Sequence, residues 1–145
     1  AAAPQGANVA TARGSAPGVM SQVAENAIVR GCNGPAARAA GYLLAGNIDG
    51  DGREDMVLDW SRISCLSGHP RPFCGASLCS AQVFLTARPG ARPFDLLAQD
   101  VRLQPLSNGA MAVAIGGSLS MCQNRGGGGC ERLFWWNGVD LLELR

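Results

Sequence analysis

The sequence predicts an α+β domain: an N-terminal amphipathic helix packed on a single curled antiparallel β-sheet of about five to seven strands, stapled by disulfides. Three observations carry this expectation. Apolar residues recur at helical spacing between Val19 and Ile28. From Tyr42 onward, short apolar or alternating runs follow one another with no helical period between them. The six cysteines form an even set.

The chain has 145 residues, which is one domain by length, and its hydrophobic fraction of 47% is ample for a core. Charged residues make up 16% and the formal net charge is +1, with arginines and acids interspersed. All twelve basic residues are arginine. No basic stripe points to nucleic acid, and no apolar run is long enough to span a bilayer.

Residues 1–16 are Ala, Gly, Pro, Ser and Thr with almost no large apolar side chain, so they read as a flexible or partner-ordered arm. The opening also has the composition of a mature terminus left after a signal peptide is removed. Residues 17–145 read as the single domain. In it, Met20, Val23, Ala24, Ala27 and Ile28 form one helix face, with Gln22, Glu25, Asn26 and Arg30 on the other. Ser15 ahead of Pro17 suits the helix start, and Cys32-Asn-Gly-Pro35 suits its end. A short helical turn is expected at Pro35–Ala40.

Strands are expected at Tyr42–Ala45, Met56–Ile63, Ala81–Ala87, Phe94–Gln99, Val101–Leu106, Met111–Ser118, Leu133–Trp136 and Val139–Leu144. Strand after strand without crossover helices implies antiparallel pairing. Asn137-Gly138 between two apolar runs predicts a C-terminal hairpin closed by a two-residue type I′ turn. Trp135 and Trp136 are adjacent and face opposite ways, so at least one belongs to the core.

None of Cys32, Cys65, Cys74, Cys79, Cys122 and Cys130 lies in a Cys-x-x-Cys spacing, and His69 is the only histidine. Three disulfides in an oxidising compartment, periplasmic or secreted, therefore fit better than a zinc site. Six cysteines allow fifteen connectivities. Spacing favours Cys74–Cys79 and Cys122–Cys130 as local closures, leaving Cys32 to reach Cys65. A redox-active Cys74/Cys79 pair is disfavoured, because no adjacent base or Cys-x-x-Cys geometry lowers a thiol pKa.

The most informative stretch is Gly46–Trp60, "GNIDGDGREDMVLDW". Counted from Asn47, oxygen donors fall at alternate positions: Asn47, Asp49 and Asp51, then the Arg53 carbonyl and Asp55, with Gly52 at the bend. This is the opening of calcium-loop spacing. Leu58 stands where an EF-hand needs its bidentate Glu, so the loop exits into a strand. The competing reading is a metal-free polar turn held by Asx hydrogen bonds. "NIDGDGREDMVLDW" resembles the Asp-x-Asn/Asp-Gly-Asp-Gly-x-x-Asp loops of FG-GAP-type extracellular calcium modules. That likeness implies a structural calcium ion with the acid at position nine replacing the missing Glu. It departs in having Asn47 where Asp is usual and in lacking the repeats of a propeller. A wider likeness runs through a helix ending in Cys, this loop with "VLDW", then "FCGASLC", "QVFL" and a late Trp-Asn-Gly hairpin. It is similar to small exported alphaproteobacterial proteins, which implies export and disulfides and assigns no reaction.

No other motif points to chemistry. His69 in "SGHPRPFC" has neither a fixed nucleophile nor a partner acid. "NRGGGGC" lacks the Gly-Lys-Ser/Thr of a phosphate loop. Glu25, Glu54, Glu131 and Glu143 are too scattered for an acid/base pair. The expectation is thus a non-enzymatic binding or accessory subunit acting through protein–protein contacts, its arm ordered by the partner. The alternative is an inhibitor that presents "SGHPRPFCGASLC" to a cell-wall hydrolase or protease. Hydrolysis at the acidic loop ranks last, because its carboxylates are committed to one another or to a cation.

Overall fold

The computed structural model describes residues 9–11, 20–88, 90, 92–117 and 130–144, with the backbone alone at 9–11, 117 and 130. In chain order the elements are β1 (Val9–Thr11), α1 (Met20–Cys32), β2 (Ala36–Arg38), β3 (Leu43–Gly46), β4 (Asp55–Asp59), a 3₁₀ turn (Trp60–Arg62) and β5 (Ile63–Cys65). They continue with β6 (Cys79–Phe84), β7 (Phe94–Ala98), β8 (Asp100–Pro105), β9 (Met111–Gly117), β10 (Cys130–Trp136) and β11 (Leu141–Leu144). The α+β class is as expected, but the strands form three sheets, not one curled sheet. A five-stranded sheet has the order β1-β3-β4-β6-β7, a four-stranded sheet β11-β10-β9-β8, and β2 pairs with β5. Among the described residues every strand pairing is antiparallel except β1 beside β3, where Val9–Thr11, within the expected arm, runs parallel to Leu43–Ala45.

The division into sheets follows from where side chains go. β4 is buried at all five positions, so it has no solvent face. Met56 and Leu58 join Met20, Ala24, Ile28, Leu43 and Trp60 in a core beneath the helix. Val57, with Val83, Leu85, Val113 and Ile115, forms a second core between the two large sheets. The five-stranded sheet is therefore the middle layer, with α1 on one face and the four-stranded sheet on the other.

α1 ends as its sequence requires. Asn33 takes a left-handed φ of 54°, the Gly34 N–H reaches the Val29 carbonyl at 3.1 Å and the Asn33 N–H the Arg30 carbonyl at 3.2 Å. This is the Schellman arrangement, with Pro35 next in line to prevent continuation. The expected start of the helix at Ser15–Pro17 lies outside the described residues.

Three local expectations are corrected. Pro35–Ala40 is not a helical turn: Ala36–Arg38 is extended and pairs with Ile63–Cys65, in register with the cysteine that the helix end must meet. The long strand Met56–Ile63 is broken because Asp59, itself buried, accepts from the Ser61 N–H (3.0 Å) and hydroxyl (2.6 Å), capping the 3₁₀ turn. The C-terminal hairpin forms, with Trp136 opposite Leu141, but its turn is not type I′. The Asn137 N–H bonds to the Asp140 carbonyl (3.0 Å) and the Asn137 side chain accepts from Val139 and Asp140. Gly138 alone carries positive φ, so Asn137 acts through its side chain and not through a left-handed backbone.

Trp136 packs edge-on against Phe94 in the second core, at 5.9 Å between ring centroids, and Trp60 is buried under α1. Gly31 makes that last contact possible. A Cβ there would lie 2.6 Å from both the Trp60 and Phe73 rings, whose centroids are 4.3 Å apart with the planes tilted by 38°. Disulfides join Cys32 to Cys65 and Cys74 to Cys79. The expected Cys122–Cys130 bond lies outside the described residues, as does "NRGGGGC" up to Cys130. No helix among the described residues is long and apolar enough to cross a membrane.

Candidate metal centre

The acidic loop connects β3 to β4 at the edge of the second core. Ile48 points inward and is buried, while Gly50 and Gly52 take φ of 81° and 82°. Those left-handed angles would strain any side chain with a Cβ. The chain therefore reverses twice within a few residues and turns its acids toward one point. One carboxylate oxygen from each of Asp49, Asp51 and Asp55 lies within 4.8 Å of the others.

The three acids have different surroundings. Asp55 is fully buried, and its carboxylate accepts from three backbone N–H groups: Ile48 (2.7 Å), Asp49 (3.0 Å) and Thr86 (2.8 Å). Burial raises its pKa to about 6, against the pull of those N–H donors, and the neighbouring Asp49 charge adds to the rise. Asp49 is half-buried and accepts from the Asp51 N–H (3.1 Å), the Ala87 N–H (2.8 Å) and the Thr86 hydroxyl (2.9 Å). Asp51 is exposed, accepting from the Arg53 N–H (2.8 Å) and touching the same Thr86 hydroxyl. Partial desolvation pushes Asp51 up, but hydrogen bonds from Thr86, the Asp49 contact and the Arg53 N–H outweigh it, so its pKa is lowered.

Of the sequence-derived donors, the three carboxylates, Asp49, Asp51 and Asp55, are brought together. Asn47 supports the loop, its side-chain oxygen accepting from Gly52 (3.2 Å) and its carbonyl from Met111 on β9 (3.0 Å). Arg53 contributes an N–H to Asp51 and is otherwise exposed. Thr86 and Ala87, just past β6, complete the cluster and were not foreseen: they lie 37 and 38 residues from Asp49. No local pattern marks them, since a Thr after "QVFL" is an ordinary strand residue.

The residues fit a hard divalent cation by their oxygen chemistry. Thr86 has one hydroxyl proton yet touches a carboxylate oxygen of both Asp49 and Asp51, so it can satisfy only one of them. Lone pairs remain on Asp49 and Asp51 after the N–H donors are counted. These two acids, with Asp55 behind them, are the groups that would hold an ion. Its effect would be to neutralise the cluster and tie the loop to the end of β6.

The other singled-out residues are dispersed. His69 is exposed, and its Nδ1 accepts from the Arg71 N–H (3.0 Å). Glu25 pairs with Arg38 (2.8 Å) and accepts from the Tyr42 hydroxyl. Burial and that carboxylate push the tyrosine pKa well above its usual value. Glu131 pairs with Arg102 (2.6 Å) and Glu143 with Arg132 (2.8 Å). Compared with known proteins, the chain matches no family model, no curated protein and no solved structure.

Proposed function

We propose that this chain is a secreted or periplasmic binding or accessory subunit, non-enzymatic and acting through protein–protein contacts, whose acidic loop holds a structural calcium ion. The observation that carries the reading is the convergence of Asp49, Asp51 and Asp55 on Thr86. The acids clamp two strand ends together, and two of them press on a hydroxyl with one proton. That is the arrangement of a brace. Export is supported by the two disulfides, which persist in oxidising compartments. A protein contact is supported by the outer face of β10 and β11. There Trp135 lies opposite Leu142 and Leu133 opposite Leu144, and the two leucines on the edge strand are 42% and 44% exposed.

A thermal melt in 10 mM calcium against chelator tests the brace. With a dissociation constant of about 10⁻⁴–10⁻³ M, calcium adds about 1.4–2.7 kcal/mol, or about 5–9 °C in Tm. Asp51→Asn should remove most of that shift. An unchanged Tm in the parent chain would end the calcium reading and leave a metal-free clamp.

A second reading, an inhibitor of a cell-wall hydrolase or protease, is favoured by one feature. The exposed segment between Cys65 and Cys79 is anchored by a disulfide at each end, and Leu66 at its start is 64% exposed. Direct inhibition assays against lysozymes and proteases separate the two.

A further inference from the structure

Both described disulfides touch the core beneath α1, where Cys79 is buried and Cys74 packs at its edge, but the Cys74–Cys79 bond also borders open space. Cys32 and Cys65 are 5% and 6% exposed and belong to the core beneath α1. The Cys74–Cys79 bond borders an open cleft of about 500 Å³, lined also by Ser61, His69, Arg71 and Gln99. Here the protein supplies what the sequence alone does not show. The Arg71 guanidinium lies 3.9 Å from the Cys79 sulfur and is held in place by the Ser61 carbonyl at 2.9 Å. Among the described residues, His69 and Arg71 are the only ionisable side chains lining the cleft, and no carboxylate does so. Reactive cysteines occupy such electropositive, partly exposed settings.

The two sulfurs also differ. Cys79 is packed at the start of β6 and is 9% exposed, whereas Cys74 is half-buried in the loop. The backbone holds them opposite each other independently of the bond: Cys74 and Cys79 form a bridge pair, flanked by Gly75 N–H to Leu78 carbonyl (2.8 Å) and Ser80 N–H to Phe73 carbonyl (2.9 Å). An opened pair therefore stays positioned to reclose.

We propose that Cys74–Cys79 is a thiol-exchange site for a low-molecular-weight thiol. The incoming thiolate attacks the Cys74 sulfur, the Cys74–Cys79 bond breaks, and its electron pair leaves on Cys79 as a thiolate beside Arg71. The product is a mixed disulfide on Cys74. One thiolate is consumed and one released, so the step needs no added oxidant. Arg71 is a positioning residue that favours the leaving sulfur, because exchange is faster when the departing thiol has a lower pKa.

The test incubates the full chain with reduced glutathione at neutral pH, quenches with an alkylating agent and maps the peptides. Glutathione is expected on Cys74 and the alkyl group on Cys79, with Cys32–Cys65 intact. Arg71→Gln should slow adduct formation by roughly threefold or more, and Arg71→Lys should retain more of the rate. Should Arg71→Gln not fold, Cys74→Ser leaves Cys79 as a thiol whose alkylation rate against pH reads its pKa. A value below the ordinary 8.5 or so supports the site. Adducts forming first on Cys32 or Cys65, adducts on Cys79 in place of Cys74, an Arg71→Gln rate equal to the parent's, or a Cys79 pKa at or above the ordinary value would each overturn it.

Discussion

Asp55 and Thr86 carry the site at the residue scale, and only one of them could be read beforehand. The alternation of acids exposed Asp55 as a donor, but it did not say that this carboxylate is fully buried and spent on three N–H groups. Spacing reports which atoms are oxygen and not which way they face. Thr86 was invisible because its partners lie 31 to 37 residues away, in the β3–β4 loop and at the start of β4. Thr86→Val keeps the shape and removes the hydroxyl that both Asp49 and Asp51 approach. In chelator it should cost about 1–2 kcal/mol, read by chemical denaturation, and it should weaken calcium binding. The cluster's share of the pH profile in chelator follows from two shifted acids, Asp55 and Asp51; outside it, burial raises the Glu54 pKa and the Arg102 hydrogen bond lowers that of Glu131. Asp55 has a pKa raised to about 6 in the folded chain, so the native state holds that proton more tightly. Its favourable contribution is complete below the unfolded pKa near 3.8 and is lost as pH rises to about 6. Asp51, lowered, acts in the other direction: its contribution is present above its unfolded pKa and is lost as pH falls through the folded one. Denaturation midpoints in chelator should therefore decline between about pH 4 and 6, and calcium should flatten or reverse that decline.

At the scale of elements, α1 and most strands were legible, since period and turn chemistry are local signals. The exceptions have physical causes that are not local. Ala36–Arg38 lacks strand character in sequence and is extended because β5 and the Cys32–Cys65 bond lie alongside it. The strand after the acidic loop is cut at Trp60 because Asp59 offers a cap that outcompetes the ladder. The helix face was predicted, but not the tightness of its fit. Gly31 sits where a methyl group would enter the Trp60 and Phe73 rings. Helix propensity alone makes Gly31→Ala stabilising by about 1 kcal/mol. Overpacking against two closely packed aromatic rings costs about 1–3 kcal/mol, so the substitution should lower Tm, with a loss of near-ultraviolet aromatic signal as the check.

The whole molecule could not be partitioned from its sequence. Alternation says that a strand has two faces but not which sheet it joins, and "DMVLD" shows how the signal fails: β4 alternates only between two different cores. The staple between Cys32 and Cys65 closes 33 residues of separation and ties the helix end to β5, beyond the 3₁₀ turn. Replacing both cysteines by alanine should cost about 3–4 kcal/mol in the chain-entropy picture, or about 10 °C or more in Tm. The Cys74–Cys79 bond closes a separation of only 5, so paired alanine replacement there should cost less.

The burial of β4 on both faces also sets how the molecule breathes. An amide at Val57 has no neighbour that can peel away and leave the rest standing, since helix and sheets all rest on the strand that holds it. Solvent deuterium reaches that position only when everything opens at once. The edge strand β11, leaning on one partner, can fray many times in the same interval.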